Sequence, residues 1–442
     1  MPDLKNLKAD LVVIGGGSAG LSAAAGAAML GLKTVLFERG EMGGDCLNFG
    51  CVPSKALLSA AKAAHAPADA EALGVTLGPA KVSWDGVKAH IRKSIDTIAP
   101  IDSQERFERL GVTVIRESAR FEETRTIVSD SARIKARRII IATGSRAFIP
   151  PLPGLEATPY FTNETIFEAP DFPARLIILG GGPIGLEMAQ AFTRLGSQVT
   201  VVEMGRALAR SDAAHAQIAL NAMRSEGTLI LEGHRASRVS GSAGELTLHA
   251  EGPDGEIAIQ GTHLLVATGR RAVLDGLDLD KGGVANDAKG ITTGDNLRSR
   301  SNARVWALGD VAGREQFTHV AGWHASVFVR RAFFKQPSKA SSLPVPEVTY
   351  TSPEIAQIGL TEAAARAEHG EAIKTSSFPF HDNDRAIAEG KALGEAKLII
   401  HKGKLIGASI VGEGAGDIIQ LVGLAMSNGL KLTALTNFIS PY

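Results

Sequence analysis

The sequence predicts an α/β fold: two Rossmann-like dinucleotide-binding domains followed by an α+β C-terminal domain. Two observations carry the first part. A short apolar strand, a G-x-G-x-x-G turn and an apolar helix occur together twice, with the turns at 15–20 and 180–185. Each unit runs on to a second strand ending in an acid, Glu38 or Glu203, eighteen residues after the last glycine of its turn. The third observation is a proline-marked boundary at Pro344 and Pro346, with strand-like runs beyond it near 348–350 and 396–400.

The chain has 442 residues, enough for two or three domains with ample core. Lys+Arg and Asp+Glu both number 47, so no basic excess points to nucleic acid. No uninterrupted apolar run reaches the roughly 20 residues of a membrane helix. The opening Met1-Pro2-Asp3-Leu4-Lys5 lacks the apolar core of a signal peptide. Two cysteines are too few to staple a secreted domain and suit a reducing compartment, so a soluble, cytoplasmic protein is expected.

In the first unit, residues 9–14 read as a buried parallel strand and 21–30 as an Ala-rich helix. Between them Gly15 makes the tight turn, Gly17 lets backbone approach a pyrophosphate, and Gly20 allows close helix–strand packing. The helix N-terminus then faces the phosphates. Glu38 ends the strand 34–38, where a carboxylate accepts from ribose hydroxyls. A helix over 56–65, a polar stretch to about 80 and a largely helical 82–110 follow. Strand 111–115 leads to the stretch 138–145, whose Ala142-Thr143-Gly144 marks a strand end, and Pro150, Pro151 and Pro153 then read as a linker.

The second unit repeats the pattern, with strand 176–179, Gly180, Gly182 and Gly185 in the turn, helix 186–195 and strand 198–203. Two complete units mean two dinucleotides. Glu203 favours NAD, because a carboxylate repels the 2′-phosphate of NADP, while Arg206 and Arg210 lie close enough to keep NADP open. A second Ala-Thr-Gly ends at Gly269, and a strand over 304–310 carries Gly309 and Asp310.

Cys46 and Cys51 are the only cysteines, with four residues between them in Gly43-Gly44-Asp45-Cys46-Leu47-Asn48-Phe49-Gly50-Cys51-Val52-Pro53-Ser54-Lys55. Residues five apart in a regular helix are too far separated for a disulfide, roughly 4.4–6.8 Å between Cα atoms. A bond between them needs Cys46 at a distorted start and Cys51 a turn further in, a distortion that Gly44 and Gly50 permit.

This stretch resembles the redox-active disulfide of the flavin-dependent pyridine nucleotide-disulfide oxidoreductases, class I, and 186–197 resembles the mercuric reductase branch in particular. The resemblance implies FAD in the first unit and NADH in the second, with NADPH possible. It implies a FAD-binding domain over 1–149 and 272–343, a NAD(P)-binding domain over 150–271 and a dimerisation domain over 344–442, hence a homodimer. Thr143 and Gly144 would lie beside the flavin nucleotide, Gly269 would mirror them, and Gly309 with Asp310 would form a second FAD fingerprint, Asp310 bonding the ribityl chain. The helix opened by 316–321 would point its N-terminus at the flavin pyrimidine, and His319 would add to that charge or simply cap the helix.

By the same resemblance Cys51 forms the charge-transfer thiolate beside the flavin and Cys46 is the interchange thiol. Lys55 would pair with Glu187 near the flavin N5, although an acid at Glu187 also suits a helix start. Pro183 stands where many relatives place an aromatic gate, so no gate is implied. The family's C-terminal His falls at Tyr442, a tyrosine that the mercuric reductase branch shares, and the C-terminal end is expected to be incomplete. The acceptor is then a disulfide or a thiophilic metal ion, with no resident metal site. The rival readings are an NADH oxidase or quinone reductase that bypasses the cysteines, and a non-enzymatic redox-sensing flavoprotein.

Overall fold

The computed structural model describes residues 5–441, so Tyr442 lies outside the described residues. The chain divides into two compact units. One comprises 5–55, 89–148 and 270–342, the other 56–88, 149–269 and 343–441.

The first unit is built on a sheet of seven strands. Its order is Val112–Ile115, Thr34–Phe37, Lys5–Ile14, Ala132–Ile141, Thr126–Val128 and Arg120–Glu123. Val305–Ala307 adds in parallel beside the end of Ala132–Ile141, with Ala307 opposite Ile141. Apolar runs such as Leu11 to Ile14 and Ile139 to Ile141 are buried, as strands covered on both faces must be. Register brings Ile14, Phe37 and Ile141 to one level at the carboxyl edge. The chain leaves Lys5–Ile14 towards Thr34–Phe37 on one side and returns at Ala132–Ile141 on the other. That reversal makes a crevice at the carboxyl ends.

The second unit holds three sheets. Leu229–Leu231, Gln198–Val202, Arg175–Leu179 and His263–Val266 form a parallel sheet, and Arg235–Ser242, Glu245–Gly252 and Gly255–Gly261 an antiparallel one. The third is antiparallel, in the order Pro346–Thr349, Glu354–Gly359, Lys404–Gly412, Glu395–His401 and Ile373–Pro379. Helix Ala415–Ser427 packs Ile419, Val422 and Ala425 on that sheet and leaves Ile418, Leu421 and Leu424 exposed. Two polar clasps tie the C-terminal sheet to the dinucleotide half of this unit. Glu187 accepts from Tyr350 N–H at 3.0 Å, while Gln190 both accepts from Ser352 N–H and donates to its carbonyl. Asp212 caps helix Ala213–Ser225 and pairs with Lys397 at 3.0 Å.

Several expected boundaries move. The strand leading to Ala142-Thr143-Gly144 is Ala132–Ile141, starting earlier than expected with its first half paired to Thr126–Val128, and Ala142-Thr143-Gly144 stand at its end as expected. Asp310 is not in a strand: the strand stops at Ala307, and Gly309–Ala312 is a tight 3-10 turn. Helix Cys51–Glu71 runs past Pro67, and Ser103 divides 82–110 into Trp84–Asp102 and Gln104–Arg109 by capping the latter. The sheet over 235–261 had no counterpart in the sequence reading.

Helix Ser18–Met29 supplies a direct test of packing. A Cβ on Gly20 would lie 1.9 Å from the Gly15 carbonyl oxygen, whereas one on Gly26 would meet only a Val329 methyl at 3.2 Å. Gly20→Ala is therefore expected to cost about 1–3 kcal/mol or more, and Gly26→Ala far less, since Ala favours the helix. Urea unfolding of the two variants without added nucleotide checks this. Equal midpoints would refute the close approach.

Candidate active site

The cysteine stretch is shaped by glycines that touch glycines. Gly43 and Gly44 have φ of 92° and 63°, a region open to them without a Cβ. Gly43 donates its N–H to the Gly16 carbonyl at 2.9 Å, and a Cβ on Gly44 would lie 2.6 Å from the Gly17 Cα. The cysteines are thereby held against the first glycine turn. A short helix, Gly44–Asn48, carries Cys46, and a new helix begins at Cys51. Cys51 is thus the first helical residue rather than one turn inside. Gly50 does not take the left-handed conformation: its missing side chain makes room for Asp45, whose Oδ2 would lie 2.9 Å from a Cβ there.

Cys46 and Cys51 are free thiols, the first half-buried and the second exposed. Interaction with Cys51 holds the Cys46 proton on, far above the usual thiol range, with burial and the Cys51 charge adding to it. The same interaction draws Cys51 down to about 6 against the opposing effect of burial, assisted by Thr318 and the Lys55 charge and resisted by Asp45. Thr318 Oγ1 lies 3.3 Å from Cys51 Sγ. The start of a long helix favours the same thiolate. Thr318 opens helix Thr318–Ala332 and was not singled out by sequence.

The two glycine turns repeat each other in three dimensions. Gly15 packs on the Ala142 and Thr143 backbone, Gly180 on Ala267 and Thr268. Gly185 meets the Gly180 carbonyl as Gly20 meets that of Gly15, leaving 2.1 Å for a Cβ. Glu38 accepts from Gly16 and Gly40 N–H at 2.6 Å each, and Glu203 from Gly181 and Gly205 N–H at 2.7 Å each. The helices that follow, Ser18–Met29 and Pro183–Arg194, start at Gly17 and Gly182 with no side-chain cap. Asp212, Ser103, Thr361 and Asn383 cap other helices with their side chains. Uncapped N-termini beside open glycines leave backbone N–H groups for an anionic ligand.

Thr143 spends its hydroxyl on the Val273 carbonyl at 2.7 Å, and Val273 N–H returns to the Gly144 carbonyl, so this strand exit is fastened to the returning chain. Gly269, at φ 132°, precedes Arg270, which begins the short strand paired with Ser145–Ala147. Asp310 accepts from Ser145 Oγ at 2.5 Å, and burial pushes its carboxyl above the ordinary range. Gly309 donates its N–H to Nδ1 of buried His324 at 3.1 Å. His324 was also missed by sequence, since a lone histidine in a helix carries no pattern. His319 is exposed and stacks on Phe317.

The chain matches the family model described as pyridine nucleotide-disulphide oxidoreductase over residues 9–325, and that family's dimerisation domain over 345–442. The chain belongs to this family. It is 34% identical to the mercuric reductase of Streptomyces lividans, over 98% of this chain and 93% of that protein. Identity to the dihydrolipoyl dehydrogenase of Bacillus subtilis is 31%, over 96% and 93%. Among solved structures it is similar to the HOCl-induced flavoprotein disulfide reductase of Escherichia coli, at a TM-score of 0.87, 25% identity and coverage of 98% and 96%. A Cu(II) complex of that reductase is similar at a TM-score of 0.86.

This oxidoreductase is accordingly an FAD-dependent enzyme that uses a nicotinamide dinucleotide. Its residues fit both groups, because each turn offers uncapped helix N–H groups beside a glycine with room for a ligand. Among the described residues no helix is long and apolar enough to cross a membrane.

Burial, with the Arg314 charge, holds His324 down to about 4 from an ordinary 6.5. The folded protein refuses a proton that the unfolded chain takes up below about 6.5. His324 therefore contributes stability that is full above that pH and falls as pH drops towards 4, by up to about 1.4 kcal/mol per unit. Thermal unfolding near neutral pH and near about pH 5 should show wild type losing more than His324→Gln. The buried His215 is common to both proteins and cancels. Equal losses would remove His324 from this account.

Proposed function

We propose that the enzyme passes two electrons from NADH through FAD to the Cys46–Cys51 pair, and from there to a disulfide or a thiophilic metal ion. The observation that supports this reading is the cysteine pair held against the first glycine turn, with Cys51 opening a long helix beside Thr318. FAD, when bound, supplies the two-electron link between nicotinamide and sulfur. Gly15, Gly17, Gly20, Glu38, Gly144, Gly309 and Asp310 would hold it. Gly180, Gly182, Gly185 and Glu203 would hold the nicotinamide dinucleotide, with NADH preferred over NADPH. Thr143 would act from the same strand exit, and Gly269 from its counterpart.

The oxidised pair takes up two electrons and one proton as its S–S bond breaks, leaving a Cys51 thiolate and a Cys46 thiol. That protonation state matches the raised proton affinity of Cys46 and the lowered one of Cys51. Cys46 is the sulfur that attacks the acceptor, losing its proton as it does so, and re-formation of the S–S bond returns the two electrons to the acceptor. Lys55 offers the cation that favours the Cys51 thiolate, and Glu187 is assigned to the same electron path. His319 would add positive charge at its helix start, and Tyr442 would take the position of the family's C-terminal histidine. The exposed Ile418, Leu421 and Leu424 of helix Ala415–Ser427 support a homodimer through the dimerisation domain. A reducing, cytoplasmic setting suits a pair that must cycle between thiol and disulfide.

Cys46→Ser should lower acceptor reduction by roughly a hundredfold or more while NADH still bleaches the flavin in stopped flow. Undiminished turnover would refute the cysteine path and favour an oxidase or quinone reductase. For the acceptor, the decisive comparison is NADH oxidation driven by Hg(II) in excess thiol against that driven by oxidised lipoamide. Turnover with Hg(II) alone is the outcome expected of the mercuric reductase branch. Turnover with lipoamide would require a proton acceptor near Cys46, and neither activity would exclude both classes.

A further inference from the structure

Within the first unit a single guanidinium joins three stretches distant in sequence. Arg270 donates from Nε to Ser145 Oγ at 2.8 Å and from Nη2 to the Ser145 carbonyl at 3.0 Å. The same Nη2 lies 3.2 Å from Asp45 Oδ1, and the Arg270 side chain is only 12% exposed. Ser145, accepting from Arg270, gives its own hydroxyl proton to Asp310. Asp45 is the chain neighbour of Cys46, and its other oxygen fills the space beside Gly50, the residue before Cys51. One carboxylate thus stands beside both sulfurs, with a largely buried arginine against it.

We propose that Arg270 is a positioning residue for the redox pair, holding the Asp45 carboxylate in place and offsetting its charge so that the thiolate form stays accessible. The groups facing the two sulfurs are each other, Thr318, Lys55 and Asp45. Asp45 is the member of this set whose charge opposes thiolate at both cysteines. Asp310 feels the same two charges with opposite signs, Asp45 raising and Arg270 lowering its proton affinity. Arg270 is largely buried while Asp45 is 39% exposed, so water screens the carboxylate only in part. Removing Arg270 would therefore leave the Asp45 charge less offset beside the two cysteines.

This inference rests on the cysteine pair being the redox centre, but its test requires no turnover and no acceptor. In the reduced protein, the rate of Cys51 alkylation by iodoacetamide is followed against pH, with the site located by peptide mass spectrometry. Arg270→Gln should move the midpoint up by roughly half a unit to one unit, Arg270→Lys should keep it near the wild-type value, and Arg270→Gln with Asp45→Asn should bring it back. A purely structural Arg270 would not be rescued by deleting a second charge. An unshifted midpoint in Arg270→Gln, or no return in the double variant, overturns the proposal. Should Arg270→Gln fail to fold, Asp45→Asn alone decides: a lower midpoint supports the role, and an equal or higher one overturns it. Failure of the acceptor assignment would appear only in turnover and would leave these midpoints untouched.

Discussion

Gly44 approaches Gly17 so closely that a single added carbon would lie 2.6 Å from the Gly17 Cα, and Gly43 is hydrogen-bonded to Gly16 next to that contact. Two turns far apart in function meet there backbone to backbone. One leaves the N–H groups of a helix start without a side-chain cap, the other carries the two cysteines. Their separation is set by main-chain geometry, which cannot relax by changing a rotamer. The position of the cysteines relative to the dinucleotide turn is therefore as rigid as the sheet beneath it. The same economy recurs where the last glycine of each turn closes on the carbonyl of the first.

Charge is distributed so that few ionised groups near the site stand alone. Glu38 and Glu203 are each held by two backbone N–H groups, which fixes their carboxylates at the strand ends. Cys46 and Cys51 act on each other, and that mutual effect divides their proton affinities more than burial does. Neutral His324 supports Gly309 from below, and Ser145 joins Asp310 to Arg270. Coupling of this kind means that a protonation change at one group is felt by its neighbours.

The parts of the fold that could be read from sequence were those with local causes. Apolar runs, glycine spacing and the acid after each turn are constraints on a strand–turn–helix unit of about thirty residues, and both units stand where they were expected. The strand over 304–310 was misjudged because Val305 to Leu308 continues as an apolar run, while the turn at Gly309 depends on a hydrogen bond to His324, fifteen residues away. The sheet over 235–261 escaped because its two outer strands are polar and mostly exposed, leaving only the central strand to alternate, with Leu246, Leu248 and Ala250 buried. Gly50 was expected to permit a backbone distortion, whereas its role is steric, a distinction that only the position of Asp45 could draw.

The sequence by itself determined the family-level architecture, the two dinucleotide turns and the pair of cysteines, because these follow from residue type at fixed spacing along one segment. It could not reach Thr318 beside Cys51, Arg270 beside Asp45, or the grip of Glu187 on Tyr350 N–H. Those pairs are separated by well over a hundred residues, and no local periodicity records them. Only the tertiary structure decided which groups surround the two sulfurs. That choice depends on hydrogen bonds and burial that come into being when distant segments pack together.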